Sequence, residues 1–146
     1  FNVYGPRMDT HGKYTEVLIR WYRLIKEGQQ PLIFGDGKQT MDFVYVEDCA
    51  RSCVLGLQSP VSDEVFNVAY GVEVTLEELC FALLEVMQSD LKPKYLPVPE
   101  DRKKVEVYKR RADISKAASL LGFKAQVGLK DGLSRLVNWL EKVESV

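Results

Sequence analysis

The chain has 146 residues, 46% apolar and 28% charged, and its 20 Lys plus Arg nearly cancel its 21 Asp plus Glu. That balance fits one soluble globular domain and excludes the basic field of a nucleic-acid-binding surface or a polybasic membrane-binding stretch. No run of roughly eighteen apolar residues is present to span a bilayer, and no charged-then-apolar targeting pattern opens the chain, so a cytoplasmic protein is expected.

Phe1 to Tyr4 predicts a short strand stopped by Gly5 and Pro6, with a loop through Asp9 to Gly12 after it. From Tyr14 the apolar side chains Tyr14, Val17, Leu18, Trp21, Leu24 and Ile25 form a helical stripe opposite Glu16, Arg20, Arg23 and Lys26, with Gly28 as its stop. Pro31 to Phe34, the turn signal Asp36-Gly37 and the alternating run Met41 to Val46 read as strand, turn, strand. A helix is expected from about Glu47 to Leu57, with Ala50, Cys53, Val54 and Leu57 at helical spacing, and a strand from Val65 to Tyr70. Thr75 and Glu78 have the spacing of a capping box ahead of the stripe Leu76, Leu79, Cys80, Leu83 and Met87. Tyr95 to Val98 predicts a strand, and Glu100 to Arg111 is either a solvated loop or a polar pocket wall. Asp113 can cap a helix over 114–121 ended by Gly122, and Leu129, Leu133, Leu136, Val137 and Leu140 mark a last helix.

Self-contained catalytic chemistry is scarce. His11, the single histidine, reads as a surface loop residue and leaves no histidine-based zinc site. Three cysteines cannot all pair within the chain, which suits a reducing compartment; Cys49 and Cys53 read as small hydrophobes against a core. Gly35-Asp36-Gly37 lacks a third glycine and precedes a strand, so it reads as a turn and not as a phosphate loop. Tyr22 and Lys26 match a Tyr-x-x-x-Lys spacing, but an amphipathic helix with a snorkelling lysine explains both.

Several blocks together resemble the C-terminal part of the extended short-chain dehydrogenase/reductases, the NAD-dependent epimerases and dehydratases of nucleotide sugars. They are Phe1-Asn-Val-Tyr-Gly-Pro-Arg7, Gly35-Asp-Gly37 with Gln39-Thr-Met-Asp-Phe-Val-Tyr-Val-Glu-Asp48, and Val65-Phe-Asn-Val68. Ala112-Asp-Ile-Ser-Lys-Ala117 with Leu121-Gly-Phe123, and the helix from Leu129 to Leu140, complete the set. The order and spacing resemble those of the 4-epimerases of UDP-glucose and UDP-N-acetylglucosamine along essentially the whole chain. The resemblance implies an α/β fold: mixed helices and short strands forming a single substrate-binding domain over residues 1–146, without the N-terminal Rossmann half. It also implies that the catalytic Ser/Thr and Tyr-x-x-x-Lys pair, and most of the NAD or NADP site, lie upstream of Phe1, which makes a fragment inactive by itself the expectation.

Carried over residue by residue, the resemblance places Phe1, through its backbone, and Val3 at the edge of the cofactor site. Asn2 would donate its side-chain amide to a phosphate or ribose oxygen, and the backbone near Glu16 and Val17 would line the nucleotide. Leu32, Ile33 and Phe34 match a strand whose main-chain groups pair with the base, usually uracil. Two departures stand out. Met41 occupies the place of an arginine that grips the diphosphate, and Lys103, with Arg102 one place earlier, stands where a second such arginine is usual. Lys38, Lys109 or Arg110 are candidates to restore the charge. The resulting expectation is the UDP-sugar-binding portion of an NAD-dependent isomerase of carbohydrate metabolism working by transient hydride transfer at C4, whose parent enzyme is a homodimer with no nucleic-acid or membrane partner. A free-standing, non-catalytic nucleotide-sugar-binding module is the alternative.

Overall fold

Helix α1, Val17–Lys26, buries Leu18, Ile19, Trp21, Tyr22 and Ile25, and Gly28 follows it at φ +72°. That left-handed conformation suits glycine and lets the Gly28 and Gln29 amides return to the Ile25 and Leu24 carbonyls. The fold comes from a computed structural model that describes residues 1–11, 16–100 and 107–144. Tyr14, Arg102 and Lys103 lie outside the described residues.

The remaining elements are β1 (Asn2–Tyr4), β2 (Leu32–Phe34), β3 (Thr40–Met41), β4 (Phe43–Tyr45), α2 (Val46–Gln58), β5 (Val74–Thr75), α3 (Leu76–Val86), β6 (Lys94–Leu96), α4 (Ser115–Leu121) and α5 (Leu129–Val143). The strands form three pairs: β1 with β4 and β2 with β6, both parallel, and β3 with β5, antiparallel. The expected strand-turn-strand unit is therefore corrected. Gly35 and Gly37 do turn the chain at positive φ, but β2 and β4 leave that turn for different partners. The run Met41 to Val46 is also divided, at Asp42, and Val46 already belongs to α2.

A second correction concerns Val65 to Tyr70, which forms no strand. Its polar groups are used otherwise: the Tyr70 amide donates to the Asp42 carboxylate and the Asn67 side-chain amide to the Asp113 carbonyl, while Val65 stays 83% exposed. Helix α2 forms as expected but presents Ala50, Cys53, Val54 and Leu57 outward and buries the polar Asp48 and Ser52. Cys49 is only half-buried and Cys53 exposed, so neither fills a core as expected; Cys80 does, and burial pushes its thiol up to about 12.

Local signals elsewhere read true. Thr75 and Glu78 form a reciprocal capping box on α3, and Gly122 ends α4 in the left-handed region. Asp113 accepts from the Ser115 amide at 2.9 Å, one residue ahead of the cap position Ile114. The core sits where α3 meets α1 and α5, around Trp21, Tyr22, Leu79, Leu83, Leu133, Leu136 and Leu140.

Two buried carboxylates fasten the loops. Asp48 accepts from the Gln126 and Val127 amides, both at 2.9 Å, and from Arg51 at 2.7 Å. Burial alone would raise its carboxyl, but the Val127 amide, the Arg51 guanidinium and the Gln126 amide outweigh it and hold it below the usual carboxylate range. A carboxyl lower in the folded than in the unfolded chain stabilises the fold above its unfolded value of about 3.9, and the contribution is lost as pH falls through the folded value. Urea titrations are expected to show this contribution intact down to about pH 5 and eroding below about pH 4. Asp48→Asn should have a shallower acid limb, and an identical limb in the variant would contradict the assignment.

Thr40 offers the opposite case. Its Oγ1 is the buried side-chain polar atom left without a hydrogen-bond partner among the described residues. Thr40→Val keeps the shape and removes the unmet hydroxyl, so a gain of about 1 kcal/mol is expected, read as a melting temperature about 2–4 °C higher. A lower melting temperature would show that the hydroxyl is satisfied.

Candidate functional site

The start of α1 lies against β1, and a cleft of about 300 Å³ opens between them, lined by Phe1, Asn2, Val3, Tyr4, Met8, Glu16, Val17, Leu18 and Phe43. Five residues singled out in the sequence, Phe1, Asn2, Val3, Glu16 and Val17, thus meet in one place. The α1 N-terminus has no side-chain cap and no acidic residue within its first turn, although Glu16 itself stands exposed at the cap. Among the described residues its first amides have no side-chain cap, and a helix N-terminus of this kind favours an anionic group.

Asn2 is held rather than loose: its backbone N–H and its side-chain Nδ2 both donate to the Asp42 carbonyl at 3.2 Å. The side-chain amide still has a second N–H and an acceptor oxygen for a ligand. Phe1 and Val3 are 55% and 43% exposed, because strand alternation turns them away from the face on which Tyr4 is buried.

Met8, Tyr4, Leu18 and Phe43 complete the cleft and were missed in the sequence. Phe43 arrives only through the β1–β4 register, Asn2 opposite Phe43, which no local pattern announces.

The second group, Leu32 to Phe34, is tied to the same helix from its far side. The Trp21 indole N–H donates to the Leu32 carbonyl at 2.7 Å and the Gln39 side-chain amide to the Phe34 carbonyl at 3.0 Å. On the opposite edge, the Lys94 amide donates to Pro31 and the Gly35 amide to the Leu96 carbonyl. Ile33 is 1% exposed, so its side chain is core.

The third group centres on Met41, half-buried against the core next to Asp42. The segment after the undescribed residues runs beside β3: the Thr40 amide donates to the Tyr108 carbonyl at 2.9 Å and the Arg110 amide to the Thr40 carbonyl at 3.1 Å. The Tyr108 hydroxyl reaches the Asp36 carboxylate at 3.1 Å. The Asp36 carboxyl lies below its usual value, held chiefly by the Lys38 amide with Tyr108 adding to it. Arg102 and Lys103, the other two phosphate candidates, lie outside the described residues.

Tyr22 and Lys26 form a structural pair. Lys26 Nζ donates to the Tyr22 hydroxyl at 3.3 Å, and Tyr22 is 1% exposed, which keeps it from a substrate. Among the described residues no group of three or more His, Cys, Asp or Glu could hold a metal ion, and no helix is long and apolar enough to cross a membrane.

The family model for the NAD dependent epimerase/dehydratase family matches residues 1–69. A Methanocaldococcus jannaschii protein provisionally named a UDP-glucose 4-epimerase is 36% identical over 140 residues, covering 96% of this chain and 43% of that protein. UDP-glucuronic acid decarboxylase 4 of Arabidopsis thaliana is 34% identical over 94% of this chain and 29% of its own length. The crystal structure of a Thermotoga maritima UDP-glucose 4-epimerase with UDP-glucose superposes with a TM-score of 0.87 at 34% identity, over 98% of this chain and 44% of that one. The chain spans less than half the length of these proteins.

Proposed function

Because this chain belongs to the NAD-dependent epimerase/dehydratase family, we propose that residues 1–146 form the substrate-binding domain of a nucleotide-sugar epimerase or dehydratase acting on a UDP-sugar, within a protein that works as a homodimer. NAD or NADP is held mainly by a domain outside these residues, with Phe1 and Val3 at its edge. The observation that supports this reading is the cleft between β1 and α1, which gathers Phe1, Asn2, Val3, Glu16 and Val17 around first-turn amides.

The dinucleotide supplies a reversible hydride acceptor for the sugar C4. This chain's own residues bind and orient. The α1 amides and Asn2 receive the phosphate and ribose oxygens, and β2, fixed by Trp21 and Gln39, meets the base. Holding the nucleotide at both ends fixes where the sugar lies, and orientation of that kind accounts for many kcal/mol of barrier reduction.

Titration calorimetry of the natural polypeptide that carries these residues, with UDP-glucose, UDP-N-acetylglucosamine and UDP, tests the reading. Binding that falls at least tenfold in Asn2→Ala with little change in melting temperature is expected. No binding of any of the three by the parent overturns it.

A further inference from the structure

Resting on the part of that reading that makes residues 1–146 one domain of a longer protein, we propose that the outward face of α2 is an interdomain interface, covered in the natural polypeptide by the portion outside these residues. Ala50, Cys53, Val54 and Leu57 recur at the spacing of one helix face, and all four are exposed, Leu57 at 88%. From residue 49 to residue 59 the single charged side chain is Arg51, and it is committed to the Asp48 carboxylate at 2.7 Å. A helix side that faces water carries charged and polar groups; this one carries apolar and small ones.

Gly56 points the same way. It lies inside α2, outside the left-handed region, and a Cβ there would meet nothing within 4 Å. Glycine weakens a helix interior, and nothing among the described residues needs its missing side chain. The close approach of another backbone does need it. The strands beside α2 are also incomplete: β1 and β4 form a parallel pair with no third strand among the described residues, whereas parallel strands occur in larger sheets covered on both faces. Phe1 and Val3 stand exposed on β1, against which α2 packs. The occupant follows from size. The chain spans less than half the length of its relatives, which leaves more than enough polypeptide to cover this face. A second copy fits it poorly: α2 has 13 residues, about 20 Å of helix, and four side chains on it fall short of the roughly 1,200 Å² that a stable interface between copies buries.

Cys53 is the probe. The natural polypeptide is pulsed with N-ethylmaleimide in buffer and in denaturing urea, labelling of Cys53 is read by peptide mass spectrometry, and light scattering gives the oligomeric state. Cys53 is expected to react at least tenfold more slowly in the native protein, at every protein concentration. Leu57→Glu, harmless at a solvated position, is expected to lower the melting temperature of the natural polypeptide by about 4 °C or more. Native labelling at the urea rate, or an unchanged melting temperature in Leu57→Glu, overturns the proposal; the wild-type labelling decides it if that variant fails to fold. Protection that disappears when dilution yields monomers gives the face to a second copy and overturns it as well. UDP calorimetry on the same sample separates the two readings. Freely reacting Cys53 in a protein that binds UDP sinks the interface alone, and shielded Cys53 in a protein that binds no UDP sinks the nucleotide-sugar reading alone.

Discussion

Asp42→Ala is expected to destabilise the fold by about 4 kcal/mol, as the sum of amides stranded in a dry interior at about 1–3 kcal/mol each. The side chain is 0% exposed, and its two oxygens accept from the Tyr70 amide at 2.9 Å, the Gly71 amide at 3.0 and 3.2 Å and the Ala112 amide at 3.3 Å. Three separate stretches of chain converge on it: the β3–β4 junction, residues 70–71 and the entry to α4. Asp42→Asn should be nearly as damaging, since one of the two acceptors becomes an NH₂ group facing N–H donors. The loss reaches function indirectly: the backbone carbonyl that holds Asn2 remains in Asp42→Ala but is no longer anchored by the carboxylate beside it. Urea unfolding with UDP calorimetry checks both effects; a stability loss under about 1 kcal/mol would show that the amides find other partners.

Gly132→Ala is the second large effect, about 2–3 kcal/mol, through overpacking. A Cβ at residue 132 would stand 2.1 Å from the Tyr4 hydroxyl oxygen and 2.7 Å from its Cζ. Tyr4 cannot step aside: it is 3% exposed, its ring meets Phe43 and Tyr45 edge-on, and its hydroxyl donates to the Leu129 carbonyl at 3.3 Å. The same ring lies in β1 and lines the cleft, so the substitution should weaken UDP-sugar binding as well. Combining it with Tyr4→Phe removes the 2.1 Å contact but not the one at 2.7 Å, so part of the loss should return in a double-mutant cycle. Purely additive losses would place the clash elsewhere.

Part of the candidate site was legible because the family blocks are contiguous stretches: Phe1 to Arg7 delivers Phe1, Asn2 and Val3 together, whereas Glu16 and Val17 follow from the resemblance alone, Glu16 lying opposite the apolar stripe. Gly132 was not. In α5 it reads as a weak helix position, and only the approach of Tyr4, 125 positions from the Leu129 to which its hydroxyl bonds, gives its missing side chain a purpose. Asp42 was read as a neighbour of Met41 in a motif, with no sign that its carboxylate gathers distant amides. Helix α2 shows a pattern that is correct in period yet silent about its partner: its apolar side exists but faces outward.

What the amino-acid order determined by itself is what acts within one or two turns of chain: the stripes of α1, α3 and α5, the Thr75–Glu78 box, and the stops at Gly28 and Gly122. These depend on hydrogen bonds and side-chain spacing among residues a few positions apart, so the chemistry and its spelling lie together. The tertiary structure decided the pairing of β1 with β4 and β2 with β6, the gathering of amides on Asp42, the Tyr4–Gly132 approach, and the outward turn of the apolar side of α2. A short strand of two or three residues is compatible with many partners and either direction of pairing. Its choice comes from burial of the whole core, an energy shared among residues far apart and therefore written in no single stretch.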